Sequence, residues 1–178
     1  MTSSNKIFNL ILLIIFAFLY NHVKAQDMTS NDFQINGIRL KMSYDSIESR
    51  FGTPDSVRTF NGEWEEFTAH YYPQIVFWTN NNDHRIWTID IYDTTFVTFR
   101  GVKIGDSVAK IDKLYPTKKL DTHHDEFGRV GPYDTSFDEY TDYRLYDYMP
   151  NVDEGWILIL FSKEGILTKI LFYVGVPE

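Results

Sequence analysis

The stretch from Phe33 to Pro54, FQINGIRLKMSYDSIESRFGTP, returns 64 residues later as VTFRGVKIGDSVAKIDKLYP between Val97 and Pro116, without a gap. Phe33 and Ile35 answer to Val97 and Phe99, Gly37 to Gly101, and Ile38 and Leu40 to Val102 and Ile104. Further along, Ser43 answers to Ser107, Ile47 to Ile111 and Phe51 to Tyr115. Two segments with one pattern point to a single supersecondary unit used twice. Each copy reads as a short alternating strand, a turn at glycine, and a serine placed to cap a helix. Beyond the serine, Tyr44, Ile47 and Phe51, or Val108, Ile111 and Tyr115, recur at spacings of three and four, which predicts one buried helical stripe. Gly52-Thr53-Pro54 and Pro116 stop these helices.

Working outward, β-rich sequence follows each predicted helix, at 67–72, 74–79 and 85–92 in the first half and at 143–148, 156–161 and 167–174 in the second. Each half closes with a hairpin whose turn, 80–84 or 162–165, is rich in residues that tolerate left-handed backbone. Ile86, Ile89, Ile91 and Tyr92 match Leu167, Ile170, Phe172 and Tyr173 at an offset of 81 rather than 64, so the second copy carries about 17 extra residues, assigned to 121–142. Strands 74–79 and 156–161 are apolar at nearly every position, as expected when both faces of a sheet are covered. The fold expected is therefore α+β: two tandem helix-then-antiparallel-sheet repeats, about 33–95 and 97–178, with the helices packed on one face of the sheet.

The runs MSYDSIESRFGTPDSV from Met42 and IGDSVAKIDKLYP from Ile104 resemble the helix motif of the β-lactamase-inhibitor-protein-like fold and of the small SmpA/OmlA-type outer-membrane assembly lipoproteins. The resemblance implies a helical segment on one face of an antiparallel sheet, with tandem copies joined into a larger curved surface. The chain departs from the lipoproteins by lacking their acylated cysteine, and from the inhibitors by having no cysteine for disulfides.

At the amino-terminus Lys6 precedes an apolar run from Ile7 to Tyr20, broken by Asn9, and then Val23-Lys24-Ala25. That pattern reads as a signal peptide, residues 1–25, cleaved before Gln26, and its apolar run is short for a membrane span. The mature chain, 26–178, is expected to be one exported domain, periplasmic or secreted, with no integral span. Losing Lys6 and Lys24 takes the net charge from −8 to −10, which disfavours nucleic acid, polyphosphate and anionic lipid as partners. With no cysteine, stability outside the cytoplasm rests on burial.

His123-His124-Asp125-Glu126 is a local cluster of potential metal ligands, in which His123 and Asp125 are weak candidates. Adjacent histidines diverge on either a strand or a helix, so a solvated loop is the favoured reading. Asp134, Asp138, Glu139 and Asp142 lack the glycine-bearing spacing of a calcium loop, and as a pair of catalytic carboxylates they are no more specific than acids in any acidic protein. No Ser/His/Asp ordering, phosphate-binding glycine loop or HExxH motif is present, so no catalytic residue and no cofactor are assigned.

Aromatic residues are the better lead. Tyr133, Phe137, Tyr140, Tyr143, Tyr146 and Tyr148 interleave with acids in and after the inserted segment, while Trp64, His70, Tyr71, Tyr72 and Trp78 occupy the equivalent region of the first half. Tyrosine and tryptophan bury large area at low entropic cost. The expected binding residues are Trp64, Tyr72, Trp78, Tyr133, Tyr140, Tyr143 and Tyr146, forming an aromatic, acidic surface for another protein of the envelope or exterior. The competing structural role for these rings is to pack the core. Two other functional classes stay open: a small-ligand or carbohydrate binder stacking sugars on Trp64, Trp78 or Tyr140, and an enzyme using carboxylates, His70 or His123.

Overall fold

The computed structural model describes residues 27–61, 66–115, 142–148 and 155–175. The expected signal peptide and nearly all of the expected insertion lie outside these residues. A 3-10 turn at Ser30–Phe33 leads into a two-stranded ribbon, β1 (Gln34–Ile35) and β2 (Ile38–Arg39), followed by helix α1 (Asp45–Phe51). Four strands come next: β3 (Ser56–Asn61), β4 (Glu66–Tyr72), β5 (Ile75–Asn80) and β6 (Arg85–Ile91). Helix α2 (Val108–Leu114) precedes β7 (Asp142–Tyr148), β8 (Gly155–Lys163) and β9 (Ile166–Gly175).

Strands β3 to β9 form one antiparallel sheet of seven strands in the order β3-β4-β5-β6-β9-β8-β7. Two hairpin runs meet where Thr88–Ile91 pairs with Ile170–Tyr173, so the sheet is continuous across the middle. One row of paired residues crosses six strands: His70, Phe77, Ile89, Phe172, Leu158 and Tyr146. This row and its neighbours form the main core with Phe33, Ile35, Ile38, Leu40, Ile47, Phe96, Val102, Ile111 and Tyr115. The opposite face carries two smaller buried clusters, Leu145, Ile159, Phe161, Leu171 and Tyr173 at one end and Ala69, Val76 and Trp78 at the other. All six positions of β5 are buried, Thr79 and Asn80 included, as its largely apolar sequence predicts for a strand covered on both faces.

The expectation of an α+β fold made of two helix-then-sheet repeats is overturned. The described residues are mostly β: seven strands in one sheet and two in a ribbon, against two α-helices of seven residues each. Seven residues make a helix only about 10 Å long, and each contributes a single fully buried side chain, Ile47 or Ile111. Much of the sheet is covered instead by extended and turn segments, through Phe33, Ile35, Ile38, Leu40, Phe96 and Val102. The two helices lie where the stripes and their stop signals placed them, but at seven residues each they do not make the helical layer that the repeat reading expected. Ser107 caps α2 by accepting from the Lys110 N–H, whereas Ser43 makes no such bond to α1, which begins after Tyr44. Strand β3 was not anticipated.

What does repeat is the way each turn docks on its hairpin. Lys41 N donates to Ile86 O (2.7 Å), Ile86 N to Met42 O (2.9 Å) and Tyr44 N to His84 O (3.2 Å). Gly105 N donates to Leu167 O (2.8 Å), Leu167 N to Asp106 O (2.8 Å) and Val108 N to Gly165 O (2.9 Å). The second trio is the first moved by 64 on the turn side and 81 on the hairpin side, as are the bridges Ser43 to Arg85 and Ser107 to Ile166.

The copies part company one turn earlier. In the first, Asn36 (φ 48°) and Gly37 (φ 75°) form a two-residue hairpin turn with both residues left-handed, so Ile35 and Ile38 face each other inward. In the second, arginine stands where asparagine would help, and only Gly101 (φ 78°) turns left-handed. The turn starts one residue sooner: Gly101 N donates to Thr98 O, and Thr98 N to Val102 O. Thr98 then bridges Ile35 from the inward side, its hydroxyl bonded to Val102 N and Tyr115 Oη. A one-residue slip exchanges the two faces of a strand. Phe96 and Thr98 are buried, and Val97 and Phe99 point outward.

Candidate functional surface

The aromatic residues expected to bind a partner divide into three groups. Trp64, Tyr133 and Tyr140 lie outside the described residues, as do the metal candidates His123 and Asp125. Tyr143 lies on edge strand β7, opposite Phe161, and only its backbone is described. Tyr72, Trp78 and Tyr146 are buried, at 7%, 6% and 5% exposure. Tyr72 donates to Gly52 O at 2.9 Å and packs against Phe51 and Phe77. Tyr146 lies 4.8 Å from Tyr115, and burial pushes its phenol up to about 12. Trp78 packs on Phe60 and presents its indole to Asp90. These three rings hold the sheet together, and Trp78 offers no open face on which a sugar could stack.

Two buried polar centres were not legible beforehand. On the main-core face His70 stacks on Tyr44 at 3.9 Å, and its Nε2 lies 3.0 Å from Thr79 Oγ1. Burial lowers its pKa to about 4, so the imidazole is neutral at physiological pH. Its Nδ1 is buried and has no hydrogen-bond partner among the described residues, so none of them orients the ring as a catalytic histidine is ordinarily oriented. On the other face Asp90 and Lys169 pair at 3.2 Å, both at most 5% exposed. Burial raises the Asp90 carboxyl, against the opposing pull of Lys169 and of the Trp78 indole. Lys169 Nζ also sits over the rings of Tyr92 (5.2 Å) and Phe161 (5.5 Å). Among the described residues no group of three or more histidines and acids is placed to hold a metal, and no helix is long and apolar enough to cross a membrane.

Among the described residues the large apolar side chains open to solvent are Val57 on β3, Tyr92, Ile166, and Val97 with Phe99; two of these places stand out. Edge strand β3 is paired on one side only among the described residues; five of its six residues are exposed and Phe60 is half-buried. The other is the slipped turn. Val97 is 43% exposed and Phe99 59%, while Phe33 and Ile35, their counterparts in the first copy, are both at 0%. The antiparallel bridge from Ile35 to Thr98 sets Gln34 beside Phe99 and Asn36 beside Val97, and Arg39 faces Gln34 across the ribbon. Below the turn, Arg100 is fastened to Asp32 by Nε to Oδ1 (2.5 Å) and Nη2 to Oδ2 (2.9 Å), and donates to Leu114 O from Nη1. The turn is thus anchored from inside and apolar outside. The repeat pattern made both residues the equivalents of Phe33 and Ile35; the contrast of Asn36-Gly37 with Arg100-Gly101 was the signal that could have warned of the slip. No protein-family model, no curated protein and no solved structure matches this chain.

Proposed function

We propose that this chain is a protein-binding module that acts outside the cytoplasm after losing its amino-terminal signal, and that it meets its partner through the turn carrying Val97 and Phe99. The observation that carries the reading is the contrast between equivalent positions. The first copy spends Phe33 and Ile35 on the core, while the second keeps two large apolar side chains at the same places and leaves both in water. Burying either would be worth about 1.5–3 kcal/mol. Side chains that forgo this gain, held on a turn tied down by Asp32 and Arg100, suit an anchor for another protein. Export is supported by the sequence of residues 1–25.

The test is site-specific photocrosslinking in the protein's own source, with a photoreactive phenylalanine analogue at Phe99 and, as control, at exposed Ser49. A discrete adduct with another protein at Phe99 and not at Ser49 is the expected outcome. The same adduct pattern at both positions would remove the turn as the binding surface.

A further inference from the structure

Resting on the protein-binding reading, we infer that the segment seated on the Val97–Phe99 turn is an acidic peptide stretch bearing an aromatic or aliphatic anchor. The charges around the turn are opposite to those of the chain. The whole molecule carries −8, yet the exposed groups bordering this apolar pair are cationic. Arg39 faces Gln34, which flanks Phe99. Lys103 follows Val102, which the Thr98 N–H grips, and so returns along the ribbon beside Val97. Arg50 reaches the Asn36 carbonyl from α1, Nη1 to O at 2.8 Å, and so stands at the turn next to Val97. Neither Arg39 nor Lys103 makes an ion pair among the described residues.

The acids nearest the turn on its own segment are paired. Asp32 is held by Arg100, and Asp106 by Lys110 at 2.7 Å and by the Lys103 N–H at 2.8 Å. Asp27, whose carbonyl accepts from Arg100 Nη2, and Asp45 and Glu48 on α1 make no ion pair among the described residues, but it is Arg39, Lys103 and Arg50 that the pairing and the Asn36 carbonyl set beside the apolar pair. Apolar centre and basic rim together fit an anchor side chain flanked by carboxylates. Arginine can take such carboxylates bidentately, and the rim charges would steer the encounter and make it salt-sensitive. A second copy of the chain would bring net negative charge to this rim, but it would meet the same repulsion over the rest of its surface. An anionic bilayer would be repelled in the same way.

The experiment is selection of a phage-displayed random peptide library on the purified protein. Binding of the leading synthetic peptide is then measured to wild type, Phe99→Ser, Val97→Ser and the double variant Arg39→Glu, Lys103→Glu. All four substituted positions are exposed, and circular dichroism checks that each variant is folded. The expected peptides carry Asp or Glu beside an aromatic or aliphatic residue. Affinity should fall about tenfold or more for Phe99→Ser and for the charge-reversed variant, and should weaken as salt rises from about 50 to 500 mM.

Neutral or basic peptides whose binding is still lost in Phe99→Ser would overturn the acidic-partner inference and leave the protein-binding reading standing. Peptides that bind Phe99→Ser as well as wild type, or no enrichment at all, would remove both. Two further arms address other occupants. Flotation with vesicles of equimolar phosphatidylcholine and phosphatidylglycerol that depends on Phe99 would make the turn a lipid contact. A wild-type dimer in sedimentation that Phe99→Ser converts to monomer would make the occupant a second copy. Either result overturns the inference.

Discussion

Alanine at Ile35 and alanine at Phe99 test the slipped turn most directly, because the two residues hold the same place in the repeated sequence and opposite places in the fold. Ile35 is fully buried and pairs with Ile38 on the ribbon. Removing three of its carbons forfeits about 2.4 kcal/mol of transfer free energy at about 0.8 kcal/mol per methylene. The cavity left behind brings the expected cost to about 2–5 kcal/mol. Phe99 is 59% exposed, so its truncation should change stability by no more than about 0.5 kcal/mol. Urea unfolding followed by tryptophan fluorescence reads both, since Trp156 lies against Phe33 in the same core. With a urea slope of about 2 kcal/mol per molar, Ile35→Ala should lower the midpoint by about 1–2.5 M, and Phe99→Ala by no more than about 0.3 M. Equal costs for the two variants would refute the slip and return Phe99 to the core, and the binding surface argued from it would go too.

Three further measurements bear on the buried polar groups and the helix caps. His70 has a folded pKa of about 4, below its ordinary 6.5, so the unfolded chain takes up its proton first as pH falls. Its contribution is complete above about pH 6.5 and is lost toward about pH 4, by at most about 1.4 kcal/mol per pH unit. His70→Gln should flatten that part of the stability profile, and identical profiles for wild type and variant would contradict the assignment. Lys169→Met leaves Asp90 buried without its cation and should cost about 3–5 kcal/mol in a denaturation curve. Asp90→Leu combined with Lys169→Met should recover most of the loss, and a double variant no better than the single would count against the pair. Ser107→Ala, which removes the bond to Lys110 N, should cost about 0.5–2 kcal/mol in thermal unfolding, while Ser43→Ala should be close to neutral.

The strands were the legible part of this chain. Runs predicted at 67–72, 74–79, 85–92, 143–148, 156–161 and 167–174 all emerged as strands to within about two residues. Period-two patterning and β-branched or aromatic content are local signals, and they survive whatever tertiary context is added. Strand β3 escaped because its SVRTFN sequence is mostly polar and lies at an edge, where no buried face imposes alternation. The helical layer was overestimated although the stop signals at Gly52 and Pro116 bounded each helix correctly: a stripe such as Tyr44, Ile47 and Phe51 spans barely two turns, and a helix that short covers little of a seven-stranded sheet. Among the rings, composition identified Tyr72, Trp78 and Tyr146 as important without telling packing from binding. That depends on which face of which strand they occupy, and so on register.

The same dependence on register explains why the candidate surface was hidden. Sequence similarity between the copies is evidence that their side chains do equivalent work only while their turns have equivalent geometry. Asn36-Gly37 supports two consecutive left-handed residues, and Arg100-Gly101 supports one. That single difference moves the reversal by one residue, and period two does the rest. Thr98 enters the core with its hydroxyl satisfied by Tyr115 and Val102, and Phe99 leaves it. A duplicated unit can acquire a binding surface in this way without new secondary structure: one copy keeps its apolar pair for packing, and a changed turn releases the other copy's pair to solvent. Restoring the first copy's turn in the second, with Arg100→Asn, separates the alternatives. It removes the guanidinium that holds Asp32, so Asp32→Asn must accompany it to avoid a buried unpaired carboxylate. If the turn chemistry sets the register, Phe99 in the double variant becomes protected from solvent, readable as loss of labelling when cysteine at that position is treated with a thiol reagent. Undiminished labelling would mean that the packing of Phe96 against Phe51 and the bonds of Thr98, rather than the turn, hold the slipped register.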